Sequence, residues 1–140
     1  MKRFLVLSVV LLSACNSATS PVTTLSGRWV VRFDSDTAGA PLNIWSGGLT
    51  QSGSSITGAG LCGAGTLVEY DVTGQVTQQL TTMAINLAFV GGGNDTAHVT
   101  GTVRDSANYG VIASGTFGDN ATGQCLSGSG HWFARQFTGP

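Results

Sequence analysis

The sequence predicts an all-β protein of eight short antiparallel strands, arranged as an up-and-down barrel or a sandwich. Three observations point there. Downstream of Ser26 the apolar residues recur with a period of two, the repeat of a strand with one face in a core. The alternating runs are short and separated by Gly-, Ser- and Asn-rich turns. No segment carries an apolar stripe at 3.6-residue spacing with a capping box ahead of it.

The first strand places Gly27, Trp29, Val31 and Phe33 on one face and Arg28, Arg32 and Asp34 on the other. After a turn-rich loop over 36–41, a second strand runs over 42–51, loosened by Gly47-Gly48. The Gln51-Ser-Gly-Ser-Ser55 turn leads into a third strand from Ile56. A fourth, over 67–76, sets Val68, Tyr70, Val72, Gly74 and Val76 against Glu69, Asp71, Thr73 and Gln75. The fifth, over 82–90, has Met83, Ile85, Leu87 and Phe89 inside. Ala97, Val99, Gly101 and Val103 mark the sixth; Tyr109, Val111, Ala113, Gly115 and Phe117 the seventh; and 129–137 the eighth.

A pattern of apolar residue, Ser or Thr, Gly, any residue, apolar residue recurs at Leu25–Trp29, Val72–Val76, Val99–Val103 and Ala113–Phe117. It puts each glycine on the apolar face between larger groups. Alternating small and large inward residues suit the taper of a small barrel, and glycine lets a strand coil at a corner. Gly27-Arg28-Trp29 on the first strand with Arg135 on the last is similar to the calycin signature of lipocalins, fatty-acid-binding proteins and avidins. The resemblance selects the barrel: an up-and-down antiparallel eight-stranded barrel, calycin-like, with Gly27, Trp29 and Arg135 packing together to close its bottom.

Ahead of this domain the chain reads differently. Lys2 and Arg3 precede an apolar run from Phe4 to Leu12 and the small residues Ser13-Ala14, the layout of a secretory signal peptide. Leu12-Ser13-Ala14-Cys15 resembles the lipobox of bacterial lipoproteins, which implies cleavage before Cys15 and acylation of its sulfur and new amine. The expected organisation is a signal peptide over 1–14, a lipidated Cys15 with a flexible polar tether over 15–24, and the barrel over 25–140. The apolar run of about nine residues is too short to span a bilayer, which takes about 20. Membrane attachment therefore falls to the acyl chains (palmitate-type), several of which hold firmly where one does not. The expected address is the cell envelope, lipid-anchored at the outer membrane or a periplasm-facing membrane surface. Asn16 after the cysteine favours the outer membrane by analogy with enterobacterial lipoproteins.

Three cysteines are an odd number for an exported chain. Acylating Cys15 leaves Cys62 and Cys125 to form a disulfide, or to stay as two buried thiols. Closing that loop of about 64 residues would stabilise by roughly 4 kcal/mol at most.

Charge excludes partners. Beyond the signal there are four cations, Arg28, Arg32, Arg104 and Arg135, against seven carboxylates. That composition predicts neither nucleic-acid binding nor a basic patch for anionic lipid. Candidate chemistry is equally sparse. Gly58-Ala-Gly-Leu-Cys-Gly63 fits G-x-G-x-x-G, but a strand follows where a pyrophosphate needs a helix N-terminus. No G-x-S-x-G elbow occurs. His98 and His131 lack an evident nucleophile or third metal ligand, and Glu69 with Asp71 reads as a solvated strand face. No enzyme, metal or cofactor is expected.

Trp29, Phe33, Tyr70, Phe89, Tyr109 and Phe117 all take inward positions. They either fill the barrel or line a pocket, with Gly74, Gly101 and Gly115 leaving space beside them, because eight strands enclose about enough room for either. The leading expectation is a non-enzymatic lipoprotein whose barrel binds a small apolar ligand. The alternative is an envelope protein-interaction module, or one like the lipocalin-like protease inhibitors of some bacteria, acting through its loops.

Overall fold

The structure, a computed structural model, describes residues 24–63, 65–79, 82–92, 96–106, 110–118, 126 and 128–137. The expected signal peptide, lipobox and most of the tether (residues 1–23), together with Tyr109 and Cys125, lie outside the described residues. Eight strands follow one another: β1 Gly27–Ser35, β2 Asn43–Ser52, β3 Ser55–Cys62, β4 Val68–Gln78, β5 Met83–Val90, β6 Thr96–Ser106, β7 Gly110–Gly118 and β8 Gly130–Phe137. Each pairs antiparallel with the next, and β8 pairs with β1, closing the barrel. The all-β class read from the alternation and the up-and-down barrel that the calycin resemblance selected over a sandwich are the ones observed, with strand bounds displaced by a residue or two.

The pairing register keeps one face of every strand inside. Trp29, Val31 and Phe33 of β1 are buried while Arg28 and Arg32 are exposed. Ile85, Leu87 and Phe89 of β5 repeat this against an exposed Asn86. One core cluster runs the length of the barrel. Gly53 opens the two-residue turn between β2 and β3 at φ 59°, a left-handed position that hairpin turns of this length require and glycine adopts without strain.

Up-and-down connectivity gives the barrel two unlike ends. At the terminal end β1 begins and β8 finishes, with connections 53–54, 79–82 and 107–109 beside them. At the loop end lie the longer connections 36–42, 63–67, 91–95 and 119–129.

Candidate functional site

The interior is the first place to look, and it is nearly solid. Trp29, Phe33, Tyr70, Phe89 and Phe117 are all buried, as their alternation predicts. Four aromatic rings interlock near the loop end. Phe33 meets Phe117 and Phe89 edge to face, and Phe89 meets Trp45 likewise, each at 5.4 Å between centroids. That is a favoured geometry for rings carrying a negative face and a positive edge. Lower in the barrel, Leu25, Trp29, Leu49, Ile85, Leu87 and Trp132 are among the side chains surrounding an apolar cavity of about 20 Å³. This is room for one water molecule and far below the few hundred Å³ of a ligand pocket.

The inward glycines do not leave the space the sequence implied. Gly101 and Gly115 pair across β6 and β7, and the Trp132 indole of β8 lies over them. A Cβ on Gly101 would come within 2.7 Å of Trp132 Cζ2 and would strike the Ser114 carbonyl. On the other side, Gly47 and Gly60 pair across β2 and β3 beneath Trp45, whose Cζ2 would lie 2.6 Å from a Cβ on Gly60. Gly74 is covered by Leu87. The absent side chains are compensated by strands that approach closely and by indoles that roof the glycine pairs. The sequence left Trp45 and Trp132 without a role. The indole of Trp132 donates from Nε1 to the Thr100 carbonyl at 3.0 Å. Trp45 is fully buried, and among the described residues its Nε1 has no hydrogen-bond partner.

Described residues reach into the core at both ends. At the terminal end the chain before β1 folds across the opening and seats Leu25, 1% exposed, in the core. Trp29 Nε1 donates to the Leu25 carbonyl at 2.8 Å, and the Gln51 side chain accepts from the Leu25 amide at 2.8 Å. Gln136 Nε2 donates to the Ser26 carbonyl at 2.7 Å. The calycin-like expectation that Arg135 closes the bottom with Gly27 and Trp29 is therefore corrected. Trp29 points inward, whereas Arg135 points outward and rests on the Phe137 ring, 4.9 Å from its centroid. Its neighbour Gln136, on the inward parity, makes the contact, and its amide would be 2.9 Å from a Cβ on Gly27. At the loop end Leu126, from the 119–129 connection, is buried in the same core cluster. The Asp36 amide donates to the Ser129 carbonyl at 2.9 Å, tying two connections together.

The outer surface carries what the interior does not. Leu42, Ile44, Leu61 and Leu67 are all more than two-fifths exposed and gather where β2, β3 and β4 reach the loop end. Charge is sorted along the axis. Arg28 of β1, Arg104 of β6 and Arg135 of β8 lie toward the terminal end, with Asp105 as the carboxylate there. Toward the loop end lie Asp34, Asp36, Glu69 and Asp71, with Arg32, whose guanidinium pairs with Asp34 at 3.0 Å. Sequence reasoning missed this because the three arginines are scattered along the chain and meet only through strand register.

The remaining candidates separate. His98 and His131 are exposed on the outer faces of β6 and β8, with β7 between them. Glu69 and Asp71 are exposed on the outer face of β4. The G-x-G-x-x-G run forms the end of β3 and leads on to β4, with no helix behind it. Among the described residues, no three His, Cys, Asp or Glu side chains gather to hold a metal ion. Cys62 is fully buried at the end of β3.

This is a closed eight-stranded antiparallel barrel, consistent with the calycin-like class. No protein-family model, curated protein or solved structure matches the chain.

Proposed function

We propose that the protein is a bacterial lipoprotein, anchored to the envelope through acyl chains on Cys15, and that its barrel is a non-enzymatic interaction module rather than a carrier. The observation behind the second half is the interior: among the described residues the barrel is filled by its own side chains, Leu25 and Leu126 included, around a cavity of about 20 Å³. A carrier of this fold would have to displace Leu25 or the indole roofs before anything entered. The alternative of a small apolar ligand keeps its support from the fold class and from the wholly apolar lining of that cavity. The interaction reading draws on the exposed apolar rim of Leu42, Ile44, Leu61 and Leu67. That rim stands at the end away from the tether, where a partner would meet it. A Cys62–Cys125 disulfide belongs to the same proposal. Cys62 lies in the core cluster that also holds Leu126, the neighbour of Cys125 in sequence.

The test sets the two modes of binding against each other in the intact lipidated protein. An apolar fluorophore titrated against it should show no saturable one-to-one site and leave the tryptophan emission unchanged. A photo-crosslinker at position 61 or 67 should give a discrete product in whole envelopes, while one at the polar outer position Ser114 should not. Saturable uptake of the fluorophore, abolished by filling the cavity, would restore the carrier.

A further inference from the structure

The axial sorting of charge carries a second inference, which rests on the anchored-lipoprotein reading. We propose that the terminal end of the barrel is a docking face for the anionic phospholipid headgroups of the membrane that holds the anchor, built from Arg28, Arg104, Arg135 and Phe137. The chain enters the barrel at this end, and Arg28 is only thirteen residues beyond Cys15, so an acylated cysteine holds these residues near the bilayer. Register assembles the face. Arg135 is joined to Arg104 through Ile112, two strands away, about 10 Å between backbones. Phe137 is the cross-strand partner of Arg28.

The chemistry fits headgroups. A guanidinium forms paired hydrogen bonds to phosphate oxygens, and an exposed phenyl ring beside it offers apolar surface to bury at the boundary between headgroups and acyl chains. Phe137 is 48% exposed, and it carries Arg135 on its ring. None of the three arginines pairs with a carboxylate among the described residues; the ion pair there belongs to Arg32 and Asp34. At the opposite end Asp34, Asp36, Glu69 and Asp71 would be repelled by the same anionic surface. Three arginines outweigh Asp105 at the terminal end, so the net attraction there and the repulsion at the loop end act in one sense and turn the loop end with its apolar rim outward. Net charge hides this, because the carboxylates outnumber the arginines overall.

The experiment uses the full lipidated protein in vesicles of phosphatidylcholine alone, or with one third phosphatidylglycerol. Arginine accessibility is read by phenylglyoxal labelling and peptide mass spectrometry. In anionic vesicles the labelling rate of Arg28 and Arg135 should fall about fivefold or more, the effect of one arginine near such a surface. Arg32 should change little, and high salt should restore the rates. Arg135→Gln with Arg104→Gln should release Arg28 while flotation and the far-ultraviolet β signal stay intact. Equal labelling in both vesicles overturns the docking face. Protection in whole envelopes but not in vesicles of extracted lipid also overturns it, and assigns the arginines to a protein partner. Failure to float with neutral vesicles would instead strike the anchor, and the labelling of Arg28 in anionic vesicles then tests the face by itself.

Discussion

Trp45 and Trp132 do the same work on two sides of the barrel with one difference between them. Each lays its indole across a pair of facing glycines, Gly47 with Gly60 and Gly101 with Gly115. Trp132 has its N–H satisfied by the Thr100 carbonyl, whereas Trp45 is buried against the Phe89 ring with its N–H unpaired among the described residues. A buried donor without a partner costs about 1–3 kcal/mol. The Trp45 side therefore spends part of its packing gain on an orphaned group, and the Trp132 side does not. The lesson is that the roof itself is an apolar, shape-driven device; the hydrogen bond is an addition to it.

The largest expected effect comes from breaking a roof from below. Gly101→Leu should destabilise by about 3 kcal/mol, the upper part of the overpacking range, because the Ser114 backbone and Trp132 both stand in its way. Chemical denaturation checks this; a variant of unchanged stability would mean that the space beside Gly101 is real. Next comes the comparison of the indoles. Trp132→Phe loses volume and a hydrogen bond, whereas Trp45→Phe loses volume but also removes the orphaned donor. The first should cost about 1–2 kcal/mol more than the second, and equal losses would show that the Trp45 N–H is satisfied in solution. The smallest effect belongs to Gly48, next to Gly47 but facing outward with open space. Gly48→Ala should stay within about 0.5 kcal/mol of the parent.

Much of the fold was legible because period-two alternation is a local signal. Each strand carries its own copy, and the β4 set of Tyr70, Val72 and Val76 needed no knowledge of the neighbours. The packed interior was not legible. In a sequence a glycine reads as missing volume, yet strands draw together until the volume is gone, and only register tells which indole covers which pair. Closure at the terminal end failed for a related reason. Gln136 shares the inward parity of Trp132 and Ala134, but a polar residue at a strand end gives no hydrophobic signal, and the family pattern drew attention to Arg135 instead. The charge sorting was hidden most deeply. It depends on which end of the barrel each strand starts from, and neither composition nor spacing along the chain records that.

Pairing of β1 with β8 has a consequence for how the molecule comes into being. The first strand finds its second neighbour only when the last strand exists: Arg28 pairs with Phe137, and the Gln136 to Ser26 hydrogen bond spans 110 positions. Until then β1 and β7 are open edges, templates for joining another chain. Closure also waits on a long loop whose entropy must be met before the contacts reward it, which slows folding. In a chain delivered N-terminus first, seven strands are therefore available before the one that seals the seam. Protection from aggregation arrives in one step, with the final eight residues of β8.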